Sequence, residues 1–242
     1  AHVYDIRDRS GPELIRTLTF TGDYYDARMV GEHVYALPRE SPLWVRDDLV
    51  LPTVREGEAP PIRPEIYRPK TPMQNYVFYT ESAFSVRGTG TPDAETFLLG
   101  YDTTLFASQE NLYIGYRNMG PAYPAGGTPE RTIIHRFAIG QGKIGYRAMG
   151  EVPGHLLNQF SLDEHEKNLR VATTVDGWTQ EGSIQYNNVY VLNSAMETIG
   201  TLEHIAPGER IYAARFVGDR LYLVTFKQID PLFVIDLADP KH

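Results

Sequence analysis

The chain is 242 residues long, 42% hydrophobic and 22% charged, with a formal net charge of -8 and no cysteine. That is enough length and apolar material for a substantial core, and the balance excludes a disordered chain. The acidity excludes binding driven by phosphate neutralisation, so neither nucleic acid nor an anionic membrane surface is an expected partner. The lack of cysteine removes disulfides, thiolate metal sites and a cysteine nucleophile together, and no apolar run approaches the roughly 20 residues of a membrane span.

Val3-Tyr4-Asp5-Ile6-Arg7-Asp8 echoes Val234-Ile235-Asp236-Leu237-Ala238-Asp239, so the chain enters at the third strand of a repeating unit, with Leu14 to Phe20 as its fourth. It begins inside a strand-like pattern without a signal peptide and reads as a fragment of a longer chain. Arg28 to Val30 and His33 to Leu37 predict a hairpin turning at Gly31. From Pro38 to Pro72 the alternation collapses and eight of the 17 prolines accumulate. Proline removes ladder donors, so residues 38–72 are expected to be an insertion lying over one face, with at most a helical turn from Arg46 to Val50.

Tyr76 to Tyr79 and Phe97 to Leu99 then complete the second unit. Thr104 to Ala107, Leu112 to Tyr116, Thr132 to Ile139 and Ile144 to Val152 form the next. Leu156 to Leu162, Leu169 to Thr174, Val189 to Leu192 and Thr198 to Leu202 form another, and Ile211 to Val217, Leu221 to Phe226 and Leu232 to Leu237 begin the last. Arg215-Phe216-Val217-Gly218-Asp219-Arg220-Leu221-Tyr222 matches Arg28-Met29-Val30-Gly31-Glu32-His33-Val34-Tyr35 in residue character, with a looser copy at Gln159 to Asp163 and Leu169 to Val171. Repetition at this spacing means an array of supersecondary units.

Asn158-Gln159-Phe160-Ser161-Leu162-Asp163, Leu169 to Thr174, Pro207 to Tyr212 and Asp230 to Leu237 resemble the secreted β-propeller domain family of archaea and bacteria, distantly related to WD40 repeats. The resemblance implies a cell-surface or extracellular location and brings no established activity with it. The expected fold is therefore all-β: a β-propeller segment of four-stranded antiparallel blades, about four to five in number, spanning 1–242 as one domain. It closes as a small ring or stays an open arc. The arc is favoured, and its exposed blade edges would seek a second copy, giving a homodimer.

Gly140-Gln141-Gly142-Lys143-Ile144-Gly145 spells a dinucleotide fingerprint, but strand-like alternation follows it, so it is read as a hairpin turn. Asp163-Glu164-His165-Glu166 concentrates carboxylates and an imidazole; as a turn it is read as a solvated loop, with Asp163 and His165 as weak metal candidates. The other histidines, His155 among them, are assigned no ligand role. The repeat register places Arg28, Gln159 and Arg215 at one point of three innermost strands, where they would ring a channel and hold an anionic or sugar-like ligand. The competing reading pairs each with a nearby carboxylate such as Asp26, Asp163, Asp219 or Asp230. Trp44 and Trp178 lie in segments read as irregular, where loops on a rigid scaffold carry function.

No G-x-S-x-G elbow occurs and no cofactor is called for. The reading is a non-catalytic extracellular module that presents a protein- or carbohydrate-binding surface. The alternative is a hydrolase or small-ligand sensor with a channel-facing polar site.

Overall fold

A computed structural model describes residues 1–68, 76–88, 90–101, 103–118, 130–179, 182–226 and 231–240, without the side chains of 178 and 179. Residues 69–72 of the expected insertion and Asp230 lie outside the described residues. The only helical element among the described residues is a 3-10 turn at Gln159–Ser161; the rest of the regular structure is strand. By packing, the chain divides into two compact units, residues 1–101 with 139–145 and residues 102–138 with 146–242.

In the first unit, His2–Asp5 pairs antiparallel with Glu13–Phe20, whose other edge takes Val54–Glu56. The following sheet runs in the order Asp23–Val30, His33–Glu40, Val77–Ser85, Asp93–Leu99, with Glu65–Tyr67 added parallel at its outer edge. Leu18, Ala36 and Phe84 pack together in its core, flanked by Val3, Phe20, Ala27 and Val34.

The insertion is thus not the strandless cover expected from its prolines. Val54–Glu56 lies between Pro52 and Pro60, and Glu65–Tyr67 directly follows Pro64. Proline spoils a central strand, but short runs between prolines keep enough donors to serve as edge strands. The helical turn expected from Arg46 to Val50 is also replaced. Leu43–Val45 and Asp48–Val50 form a two-stranded hairpin, turning through Arg46 at φ 49° and Asp47 at φ 69°.

The second unit holds most of a four-stranded sheet, Thr103–Ala107, Asn111–Asn118, Arg131–Gly140 and Lys143–Pro153. Gln141 and Gly142 make the turn between the last two strands, so the fingerprint-like stretch is a hairpin turn. Leu162–His165, Asn168–Thr179, Gly182–Leu192 and Thr198–Ile205 make the next sheet, and Arg210–Val217, Arg220–Phe226 and Leu232–Asp236 the last. Two cores fix them: Tyr113, Ile134, Val152, Leu162, Val171 and Leu192 lie in one, and Ala172, Val189, Ile211, Leu221 and Leu223 in the other.

The repeat is structural as well as textual. Asp5 and Asp236 occupy matching positions, and each accepts the backbone N–H two residues on, from Arg7 at 2.9 Å and Ala238 at 3.0 Å. Such a side chain ends the strand by offering its backbone an Asx turn.

Two expectations need correction. Leu156 to Leu162 is not a strand: Asn158 accepts the Phe160 N–H, caps the 3-10 turn and delays the strand to Leu162. Trp178 is not in an irregular loop, because Asn168–Thr179 and Gly182–Leu192 run as long hairpin arms that pair Trp178 with Ser183.

Candidate functional site

The three residues expected to share one register separate into different settings. Arg28 pairs with Tyr35 and Arg215 with Tyr222, each three positions before the glycine of its hairpin turn, as the repeat requires. The equivalent position in the sheet between residues 162 and 205 is Asp163, paired with Arg170, and not Gln159, which opens the 3-10 turn. The half-buried Arg28 forms an ion pair with Asp26, one of the carboxylates expected for it. The exposed Arg215 instead lays its guanidinium over Phe160, 4.6 Å from the ring centroid. Gln159 contributes its backbone carbonyl, which accepts the Leu162 N–H that closes the turn.

Asp163, Glu164 and His165 are drawn into ion pairs and hydrogen bonds, while Glu166 stays exposed in the turn. Asp163 binds Arg170, and His165 Nε2 sits 3.0 Å from Asp219 Oδ1. Glu164 accepts from the Ser108 hydroxyl at 2.8 Å, the Asn111 amide at 3.0 Å and the Tyr113 hydroxyl at 2.7 Å. Its carboxylate therefore fastens one sheet to its neighbour.

Trp44 stands in the hairpin of the insertion, opposite Leu49. Leu43, Trp44 and Val45 are 59%, 65% and 50% exposed, and Val50 and Leu51 continue the patch. Successive residues of a strand point to opposite faces, so exposure of three apolar neighbours means that neither face of this strand is covered. A two-stranded ribbon is marginal by itself in water.

A second constellation, which the sequence reading passed over, gathers Glu130, His155 and Asp176. Glu130 directly precedes the strand Arg131–Gly140, His155 follows Lys143–Pro153, and Asp176 stands in Asn168–Thr179. Backbone bonds hold His155 to Thr174 in both directions, N–H to carbonyl at 2.8 Å and 3.0 Å. Gly154, at φ 86°, lets the chain come that close: a Cβ there would lie 2.5 Å from the Thr174 carbonyl oxygen. No L side chain fits such an approach without backbone movement.

Within this constellation the nearly buried Glu130 places Oε1 2.6 Å from His155 Nδ1 and gives its other oxygen to Arg117. Burial pushes the Glu130 carboxyl up, but the hydrogen bond and charge of His155, with Arg117 behind them, hold it below its ordinary range. An ionised carboxylate only accepts, so the Nδ1 it meets carries a proton, and Nε2 is the ring nitrogen on the open side. That nitrogen faces Asp176 Oδ2 at 4.0 Å, and Gln185 steadies the other Asp176 oxygen with a 2.6 Å bond. No spacing in the sequence announces the group, because its members come from three separate segments.

Residues 1–242 match the family described as Beta propeller domain. An uncharacterized protein of Methanocaldococcus jannaschii is 50% identical over 93 residues, which are 38% of this chain and 15% of that protein. An uncharacterized protein of Archaeoglobus fulgidus is 45% identical over 113 residues, 47% of this chain and 17% of that protein. The chain therefore spans a small part of the curated relatives it matches. With its whole length matched and its antiparallel sheets in blade order, the chain belongs to the β-propeller domain family.

Proposed function

We propose that this propeller segment is a non-catalytic, extracellular binding scaffold that takes a protein partner on the Leu43–Val50 hairpin. One observation carries the reading: Leu43, Trp44 and Val45 are all exposed on a two-stranded ribbon that joins no other sheet among the described residues. A protein surface closing over them supplies the burial that the ribbon lacks, and aromatic anchors of this kind dominate protein interfaces. Arg46 and Asp47, at the tip, give the rim charge of both signs. The extracellular setting rests on the resemblance to secreted propellers and on the net charge of -8, which suits a surface that stays clear of nucleic acid.

The test is a photo-crosslinking residue at position 43, introduced in cells that make the protein, with a membrane-impermeant biotin reagent labelling the outer surface. The expected result is a biotinylated adduct whose partner is a polypeptide identified by peptide sequence. Trp44→Ser should abolish it while leaving the melting temperature within a few degrees. An adduct containing only carbohydrate, only a second copy of the chain, or no partner at all overturns the docking reading; an adduct out of reach of the biotin reagent overturns the location.

A further inference from the structure

We infer that His155 and Asp176 form a binding site for a divalent transition-metal ion, oriented from behind by Glu130. The distance between the candidate ligand atoms, 4.0 Å from His155 Nε2 to Asp176 Oδ2, is one that a single ion spans. Metal–imidazole and metal–carboxylate bonds are each about 2.0–2.2 Å, so a bound ion needs only a small inward turn of either side chain.

The chemistry of the surroundings favours a metal over a plain hydrogen bond. At 4.0 Å His155 Nε2 and Asp176 Oδ2 stand too far apart for a hydrogen bond. Nothing therefore bonds the two atoms to each other, and a cation placed between them binds both. Metal-ligating histidines commonly donate their remaining ring N–H to a carboxylate, which sets the tautomer and raises the basicity of the ligand nitrogen. Glu130 meets that description, with both oxygens engaged, one to His155 and one to Arg117. It is a positioning residue here, not a ligand.

The frame is rigid where it must be. His155 is locked to Thr174 by two backbone bonds, Gly154 donates its N–H to the Glu130 carbonyl at 2.8 Å, and Thr132 Oγ1 donates to the Gly154 carbonyl at 2.7 Å. Asp176 lies two residues beyond Thr174 on the same strand, and its side chain is 41% exposed, so an ion can enter from solvent. One imidazole with one carboxylate suits zinc, nickel or cobalt better than calcium, which prefers an all-oxygen shell. Water completes the coordination. His165 beside Asp219 offers the nearest comparison, but its side-chain partner is 61% exposed and, among the described residues, the pair belongs to no group of three ligand-bearing side chains.

The experiment is calorimetric titration of the chelator-stripped 242-residue chain with Zn²⁺, using the chain itself and the variants His155→Gln, Asp176→Asn, Glu130→Gln and His165→Gln. One ion per chain is expected, with affinity lowered at least about tenfold by His155→Gln and by Asp176→Asn, and unchanged by His165→Gln. Glu130→Gln should weaken binding by a similar factor and also shift the pH midpoint of binding, a change that loose packing alone would not produce. Circular dichroism and melting curves confirm that each variant is folded. No saturable binding, or binding that tracks His165 while surviving His155→Gln and Asp176→Asn, overturns the assignment.

Discussion

Arg170 Nε donates to Asp163 Oδ2 at 2.9 Å across the hairpin that opens the sheet between residues 162 and 205, while its Nη1 reaches the Gly218 carbonyl at 2.8 Å. The arginine side chain is 4% exposed, and its guanidinium also lies 5.2 Å from the Phe216 ring centroid. One residue thereby ties a hairpin to the tight turn of the following blade.

Arg170→Ala is accordingly expected to destabilise the chain by about 3 kcal/mol, because it strands a partly buried carboxylate and a carbonyl together. Arg170→Lys should recover only part of this, since an ammonium cannot reproduce the planar fork. Urea denaturation of the three proteins is the check. A loss below about 1 kcal/mol for the alanine variant would show that the pair is no more than a surface contact.

Gly218 closes the hairpin between Arg210–Val217 and Arg220–Phe226 at φ 53°, with no atom within 4 Å of a Cβ built there. Its requirement is therefore conformational and not steric crowding by neighbours. Gly218→Val should cost more than about 1 kcal/mol, as a β-branched residue is forced into the left-handed region. Gly218→Asn, which tolerates that region, should cost a few tenths of a kcal/mol. Equal losses for both variants by thermal melting would point to packing rather than backbone strain.

The same turn shows what the sequence could and could not disclose. Arg28 and Arg215 share one register, opposite Tyr35 and Tyr222, because both hairpins turn through glycine and the phrase around it repeats. The third copy turns through Glu166 at φ 49° and Lys167 at φ 66°, without any glycine to mark it. The sequence match therefore slipped to Gln159 instead of Asp163. Trp44 was singled out for its irregular surroundings, and it stands exposed; the hairpin holding it was hidden because prolines mask short strands. His155 was passed over for a different reason. Its partners Glu130 and Asp176 meet it only through the fold, and contacts between distant segments leave no periodic trace.

His135 is buried with neither ring nitrogen hydrogen-bonded among the described residues, and its ring stacks on Tyr116 at 5.7 Å. Burial lowers its pKa to about 4 from an ordinary 6.5. The folded chain thus keeps the ring neutral where the unfolded chain protonates it. Its contribution is fully present above pH 6.5 and is lost as pH falls from 6.5 through about 4, on the order of 3 kcal/mol in all. His135→Phe should flatten the stability profile in that window while keeping the stacked ring. Denaturation midpoints at pH 7 and pH 4 test this; an unchanged acid slope in the variant would assign the slope to other groups.

Glu81 gives the opposite pH dependence. It is fully buried in the central strand Val77–Ser85, and among the described residues neither carboxyl oxygen has a hydrogen-bond partner. Directly across the ladder stands Glu95, which faces Glu65 in turn; Asp93, nearby, is engaged by Lys143 Nζ at 3.0 Å and the Ile144 N–H at 2.9 Å. Burial first, then repulsion from Glu95 and Asp93, raises the Glu81 carboxyl well above its ordinary 4.5. The fold retains a proton that the unfolded chain releases, so stability is fully present below pH 4.5 and declines as pH rises towards the folded value. Glu81→Gln keeps the shape and removes the ionisation. It should stabilise the chain at pH 8 by on the order of 1–3 kcal/mol and leave it nearly unchanged at pH 4. A variant no more stable than the parent at pH 8 would mean that the fold accommodates the ionised carboxylate, and that Lys143 or solvent reaches Glu81 before it ionises.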